Sequence, residues 1–531
     1  MVAKVNFVRN PLSTASLTEI KRKKVTLIAC PWAFYDEVEF RSQQLGLGYI
    51  GAYAEKFGHE VVAFIDPMVN GGEKEKMSLK TKYQMTHRFG FSDDWIVSQI
   101  PKETDVIGIN APFTDSRLLL YPMVKKIKAT FPKIPVVVGG VLATTLPRQV
   151  IEASGCDIVV KGEGEIAFAR IVNGEPWESI PGIVFRRNNG EIFESPLRSE
   201  QLVSIDDIPP PGYNFRPMKE YVGWSPRGNR ADRTLSIISS RGCPFMCEFC
   251  SIPEKGQRWR PFTPERVLDE IKNAIKLWGV NHIEFEDDNF TLVEKRAIEV
   301  LKYLRDLRKS GYEIFCSFPN GIMIDRMSKE LAVLMKEAGA EIAYLPVESG
   351  DTRVLMSMAK PDAEHHLTKT LEVAKWCVEA ELFVSCFFIV AYPGGQVTKK
   401  KFGTATYDSK IIRRGEDGVY MRGEDEEAFA NTLDFCRKLT EMGVQGITPL
   451  IATPYPGTDM YDFCQKFGYL AYSDEADVLT TVSYAAMRPD FIQIETPWCS
   501  RPQAFERWQA MKNMFPVYHN VRKENKSMAL V

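Results

Sequence analysis

Cys243, Cys247 and Cys250 stand as C-x3-C-x2-C in the run Ser239-Ser240-Arg241-Gly242-Cys243-Pro244-Phe245-Met246-Cys247-Glu248-Phe249-Cys250. Three thiolates on one tight loop can each take one iron of a cubane cluster and leave the fourth iron open. A catalytic cluster needs that open iron and an electron-transfer cluster does not. The loop follows a strand-like stretch at 235–239, which puts the thiols at the carboxyl end of that strand. The alternatives are a structural zinc site or three core cysteines. Zinc usually takes four protein ligands, and no second C-x2-C or C-x2-H pair stands nearby to complete a tetrahedron.

From 235 onward, strand-like runs at 235–239, 282–285, 313–317, 342–347, 383–390 and 446–451 alternate with helical periods at 265–278, 295–309, 329–337, 366–379 and 426–442. Six β/α units of this kind make a partial (β/α)6 barrel of the TIM type, whose site lies at the strand carboxyl ends. A polar stretch at 397–425, rich in Lys, Arg, Asp and Gly, reads as an inserted surface loop or flap. Its Lys399, Lys400, Lys401, Arg413 and Arg414 are the basic groups with which such a flap would close on an anion. The tail from about 455 reads as a small helical, loop-rich C-terminal region.

The first half carries a second alternation, with strands at 25–29, 61–65, 105–109, 135–138 and 157–160 and a helix at 45–57 that ends on Gly58. This is the pattern of a Rossmann-like doubly wound parallel sheet, where ligands bind beyond the carboxyl ends of the strands. The segment 171–232 reads as a linker, with a small hairpin about Asn188-Asn189-Gly190 and a stiff Ile208-Pro209-Pro210-Pro211-Gly212. The fold class is therefore α/β: a sheet domain over 1–170, the linker, a barrel over 233–455 and a helical region over 456–531.

At 531 residues the chain exceeds what one hydrophobic core serves, in keeping with that division. Net charge is −2, with 67 basic against 69 acidic residues, so there is no basic field for nucleic acid. The basic run Lys21-Arg22-Lys23-Lys24 reads as a solvated strand edge. No run of eighteen apolar residues and no signal-peptide pattern appear, which points to a cytoplasmic protein without membrane insertion. Eleven cysteines, an odd and scattered set, argue against a disulfide framework, and those outside the triad read as small core residues. His365-His366 reads as solvated, and Trp278 and Tyr344 as packing groups.

The cysteine loop and its setting resemble the radical S-adenosylmethionine (SAM) superfamily. The resemblance implies that the open iron is chelated by the amino and carboxylate groups of SAM, and that reduction cleaves a carbon–sulfur bond to give a 5′-deoxyadenosyl radical. Further SAM contacts are implied where later strands end. Glu286 and Asp288 in Glu286-Asp287-Asp288-Asn289-Phe290 would meet the ammonium, and Glu348 and Ser349 would meet ribose or carboxylate oxygens. Gly394 follows the fifth strand in Ala391-Tyr392-Pro393-Gly394-Gly395, with Ala391 where the family usually has glycine. Tyr392, at a catalytic-face strand end, is the candidate catalytic residue. Strand-end turns and helix caps are the bland alternative for the acidic groups.

A Rossmann-like sheet ahead of such a barrel resembles the cobalamin-dependent branch of the superfamily. The matching runs are Leu45-Gly46-Leu47-Gly48-Tyr49, Val138-Gly139-Gly140 with Ala143-Thr144, and Lys161-Gly162-Glu163-Gly164-Glu165. Asn110, Phe113, Thr114 and Asp115 follow the third strand and would face the corrin. The implied cobalamin contacts are Asn110, Thr114, Gly139, Gly140, Thr144, Gly162 and Glu163. None of the six histidines lies in a D-x-H-x-x-G motif, so cobalt would lack a histidine ligand from the protein. The implied activity is C-methylation of an unactivated carbon: the adenosyl radical abstracts hydrogen, and methylcobalamin delivers the methyl group. A ring-forming radical reaction without methyl transfer is the alternative, and a non-catalytic sensor a distant third. The implied partners are a small-molecule substrate and an external electron donor of flavodoxin or ferredoxin type.

Overall fold

The run Val-Val-Val-Gly at 136–139 has no polar face to leave in water, so it folds as a strand covered on both sides. The computed structural model describes residues 21–34, 43–69, 77–80, 85–197, 205–222, 233–252, 259–360, 362–397, 411–415, 418–472, 489 and 492–514. The chain divides into two units, Met1–Tyr221 and Val222–Val531.

The first unit is built on a seven-stranded sheet. Its strands are β1 (Lys24–Ala29), β2 (Glu60–Ile65), β3 (Val106–Asn110), β4 (Val136–Gly139), β5 (Ile158–Val160), β6 (Ile183–Arg186) and β7 (Ile192–Glu194). They run in the order β7-β6-β5-β4-β3-β1-β2, parallel from β2 to β5, with β6 and β7 antiparallel at the far edge. Jumps in that order require crossovers, which the intervening helices supply. The hairpin read as part of a linker is β6–β7, and β6 pairs directly with β5 from Ile158↔Phe185 to Val160↔Ile183. Its alternating residues are too few to reveal a sheet edge in sequence.

The Pro-rich segment is also fastened to this unit. Arg216 donates to the carbonyls of Gln43 and Pro211, Asn214 donates to Glu55 at 3.0 Å, and the Tyr221 hydroxyl donates to Asp66 at 2.6 Å. Helix Leu45–Lys56 packs under it so closely that a Cβ at Gly48 would meet the Pro211 carbonyl at 2.6 Å, and one at Gly51 the Phe215 ring at 2.6 Å. Gly48, part of one of the family-like runs, is thus explained by packing within its own unit.

The second unit holds six parallel strands in two trios. Thr234–Ile237 (β8), His282–Phe285 (β9) and Phe315–Ser317 (β10) form the first. Ile342–Glu348 (β11), Phe383–Val390 (β12) and Gly446–Ile451 (β13) form the second. A lone parallel bridge, Cys316↔Ala340, stands between the trios. Order follows sequence throughout, as in a barrel wall, and the strand interiors are buried. The helix after the cysteine loop shows how local chemistry sets its bounds. Thr263 caps it, Pro264 opens it, and Gly279 in the left-handed region (φ 62°) ends it.

The insertion read as a polar surface loop departs from expectation. Its strands Ile411–Gly415 and Gly418–Arg422 join Gly394–Val397, which leads into it, in a three-stranded antiparallel sheet. Tyr420 and Met421 are buried, so the sheet has an apolar side that a mostly polar sequence hides. Lys399, Lys400 and Lys401 lie outside the described residues. The eight cysteines beyond the triad are buried and in thiol form. His366 corrects another expectation: it is buried, with Nε2 3.2 Å from the Val347 carbonyl, while His365 alone is exposed.

Candidate active site

The cysteine loop leaves β8 at its carboxyl end and is held from several sides. Asp287, buried after β9, accepts hydrogen bonds from the Ser239 backbone N–H (2.9 Å), the Ser239 hydroxyl (2.8 Å) and the Ser240 hydroxyl. A lone buried carboxylate costs several kcal/mol, and these donors with the nearby charge of Arg296 offset that cost. Between the cysteines, Glu248 is buried. Its N–H donates to the Met358 carbonyl (3.3 Å) and its carbonyl accepts from Met460 N–H (3.0 Å). A Cβ on Gly395 would run into the Glu248 carboxylate, so the loop and the first inserted strand touch.

Cys250 senses both of the other thiols. Burial pushes the Cys250 thiol up to about 12, and the nearby Cys247, Cys243 and Asp288 add to the rise. Burial likewise raises Cys243, against donation from the Phe245 backbone and from Asn289, whose Nδ2 is 3.0 Å from Cys243 Sγ. Among the described residues no three His, Cys, Asp or Glu side chains converge on one metal ion. A cluster that gives each thiolate its own iron asks for wider spacing than one tetrahedral ion does.

Around the loop stand the ends of β9, β11 and β12. Asn320 ties the β10 end to the β9 end, donating to the Glu286 carbonyl at 3.1 Å. Asp288 is half-buried, and burial, with Asp287 beside it, pushes its carboxyl up to about 6. Glu348 closes β11 in the left-handed region (φ 70°), with Lys360 Nζ 3.6 Å from its carboxylate. Ala391 closes β12 with φ 59°, where a side chain is strained and glycine is at ease. That conformation is the physical reason for a glycine preference there. Glu424 holds the strained turn: its Oε1 accepts from Ala391 N–H at 3.0 Å, its own N–H donates to the Tyr392 carbonyl at 2.8 Å, and Arg507 donates to it. Gly394 (φ 113°) is the hinge at which the insertion departs, pairing with Arg422 as the chain returns.

In the first unit the candidate residues gather along the carboxyl edge of β3, β4 and β5. Asn110 pairs in register with Gly139. Gly140 (φ 103°) is so tightly enclosed that a Cβ would press on the Ala111 carbonyl and come within 2.5 Å of Asn110 Oδ1. Thr144 links the strand ends, its hydroxyl donating to the Gly140 carbonyl and accepting from Gly162 N–H, both at 2.9 Å. Thr114 and Glu163 are buried at the same edge, and Phe113 is exposed and packs edge-on against Trp32 at 5.1 Å. The Asp115 side chain lies outside the described residues.

Residues 237–396 match the radical SAM superfamily and residues 31–172 match the B12 binding domain. An uncharacterized methyltransferase of Pyrococcus horikoshii is 30% identical over 387 residues, spanning 70% of this chain and 73% of that protein. This chain belongs to the cobalamin-dependent radical SAM superfamily. The cytidylyl-2-hydroxyethylphosphonate methyltransferase of Streptomyces wedmorensis is 28% identical over 406 residues, 71% of this chain and 74% of that one. In fold, the chain is similar to the radical SAM methyltransferase TsrM of Kitasatospora setae, with TM-score 0.58 and 17% identity over 84% of this chain and 76% of that one.

The cofactors of a cobalamin-dependent radical SAM enzyme are a [4Fe–4S] cluster, SAM and cobalamin, and the residues fit them. Three thiols on one loop, with Cys243 and Cys247 both near Cys250, suit the cluster. At the sheet edge, a Cβ on Gly139 would meet only the Val160 carbonyl at 4.0 Å, which leaves backbone open to a bulky ring. His59, buried, is engaged by Asn173 at 2.7 Å, and His282 by Thr234 and Ser317. Two sequence candidates are turned inward. The Ser349 hydroxyl is shared between Thr432 (3.2 Å) and Asp351 N–H (3.1 Å), and Tyr392 is fully buried with its hydroxyl lacking a hydrogen-bond partner among the described residues. Three residues went unselected in the sequence: Asn289, Glu248 and Glu424. A charged residue between two cluster cysteines is a signal for Glu248. The acidic run Glu424-Asp425-Glu426-Glu427 hides Glu424 among surface neighbours.

Proposed function

We propose that this radical SAM enzyme methylates an unactivated carbon of a small-molecule substrate. When bound, the cluster with SAM supplies a 5′-deoxyadenosyl radical, and cobalamin supplies the methyl group. The protein's part is positioning, since the chemistry asks reactants to be held close and water kept out. In this reading Cys243, Cys247 and Cys250 hold the cluster. Glu286, Asp288, Glu348 and Gly394 surround SAM, with the inward-turned Ser349 fixing the turn behind Glu348. Asn110, Thr114, Gly139, Gly140, Thr144, Gly162 and Glu163 line the cobalamin edge. An external one-electron donor of flavodoxin or ferredoxin type reduces the cluster, and a reduced cytoplasm suits it. Among the described residues no helix is long and apolar enough to cross a membrane.

The observation that carries the reading is the joint presence of a three-thiol loop at a barrel strand end and a glycine-lined parallel-sheet edge in one chain. The test is anaerobic reconstitution with iron, sulfide and cobalamin, followed by product analysis under reduction. Methyl transfer yields S-adenosylhomocysteine together with 5′-deoxyadenosine. Formation of 5′-deoxyadenosine without matching S-adenosylhomocysteine would replace methylation by ring formation. A cob(II)alamin EPR signal free of nitrogen splitting is expected, because none of the described imidazoles stands in a D-x-H-x-x-G turn.

A further inference from the structure

Asn289 lies two residues beyond the buried Asp287, in the turn that follows β9. It reaches across to the cysteine loop, with Nδ2 3.0 Å from Cys243 Sγ. The site around that sulfur carries negative charge: Asp288 acts on it directly, with Asp287 next to Asp288 and Glu286 on the same strand end. Adding an electron to a cluster in such a place adds charge where charge is already dense. A donor aimed at a ligating sulfur stabilises the reduced form more than the oxidised one, and hydrogen bonds to sulfur are among the chief determinants of cluster potential.

We propose that Asn289 is a potential-setting residue: its amide donates to the Cys243 thiolate and raises the reduction potential of the cluster. The assignment rests on the reading of Cys243, Cys247 and Cys250 as cluster ligands. The step concerned is a one-electron reduction of the 2+ cluster to the 1+ state, the electron coming from an external one-electron donor, dithionite in the assay. No proton moves. Asn289 neither binds iron nor touches substrate; it acts through Cys243.

Asn289→Leu keeps the approximate volume and removes the donor. Asn289→Asp keeps the shape, removes the donor and adds a further negative charge. EPR-monitored potentiometry of the reconstituted holoenzyme should place the midpoints in the order wild type, Leu, Asp, from highest to lowest. We expect Asn289→Leu to shift the reduction equilibrium about tenfold toward the oxidised cluster, which is about 59 mV for one electron. Iron content and SAM affinity should match wild type, which a merely structural role would not ensure. An unchanged midpoint in Asn289→Leu at equal iron content overturns the proposal. Loss of iron from Asn289→Leu passes the decision to Asn289→Asp, and loss from both overturns the tuning role in favour of a structural one. Failure of wild type itself to take up iron would instead defeat the cluster reading.

Discussion

The two sheets present their candidate ligand groups by different means. In the first unit the carboxyl edge is mostly backbone: Gly139, Gly140 and Gly162, laced together by one threonine hydroxyl. In the second unit the strand ends carry thiols, carboxylates and an amide. A large ring ligand is accommodated by clearing Cβ atoms out of its way. A cluster and a zwitterionic sulfonium are held by coordination and charge. Changes at the first edge should therefore act through shape, and changes at the second through chemistry.

The sharpest break in that comparison comes from the cysteines. Cys243→Ala, Cys247→Ala or Cys250→Ala should abolish cluster iron and SAM cleavage altogether, while cobalamin retention stays at the wild-type level. Iron, sulfide and corrin absorbance per chain check all of this on one preparation. The reverse dissociation should follow from Gly140→Ala. The new Cβ presses on the Ala111 carbonyl at a φ that L residues avoid, a strain of about 1–3 kcal/mol borne by the strand end itself. Cobalamin should be lost and cluster iron kept. Loss of both would mean that the two sites are not separate in stability.

A smaller effect separates the units by pH. Burial, with Lys360 next in weight, lowers His366 from 6.5 to about 3, so the folded protein holds it neutral. A group with a depressed folded pKa lends stability above its unfolded pKa, and that stability is lost as pH falls from 6.5 toward 3. Between pH 7 and pH 5 the loss comes to about 2 kcal/mol. His366→Gln can donate to Val347 but cannot take a proton in this range. Thermal denaturation should show it losing about 2 kcal/mol less than wild type over the same interval, and equal losses would contradict the buried neutral imidazole.

The same contrast explains what could be read in advance. Phe383–Val390 was legible residue for residue, because a buried parallel strand is apolar along nearly its whole length. The cysteine spacing was legible because coordination chemistry fixes residue type. The edge of the first sheet was legible only as glycines, and glycine has several causes. Gly140 is forced by Ala111, 29 positions back, whereas Gly48 is forced by Pro211, 163 positions on. The inserted sheet was hidden because Tyr420 and Met421 are its only consecutive pair of buried apolar side chains among the described residues of that stretch. Asn289 was hidden because an amide at a strand end is ordinary until its partner, 46 residues away, is known.

The smallest expected effect tests Tyr392, the one strand-end residue whose position suggests chemistry and whose environment suggests packing. Its ring is fully buried in a cluster with Val354, Leu355, Met358 and Phe463, and it meets Phe249 edge-on at 6.5 Å. Burial, with Glu248 and Cys464 adding to it, holds the phenol well above its ordinary pKa, so it stays neutral and keeps its proton. A buried hydroxyl without a partner costs about 1–3 kcal/mol, while the ring gains stability from its contacts. Tyr392→Phe keeps the ring and drops the cost, so the variant should be as stable as wild type or more so by about 1 kcal/mol. Turnover should stay within twofold. Tyr392→Ala, which empties the site, should cost about 3–5 kcal/mol. A hundredfold fall in product for Tyr392→Phe, with stability unchanged, would put the hydroxyl in the chemistry and move this strand end from the packing side of the comparison to the reactive one.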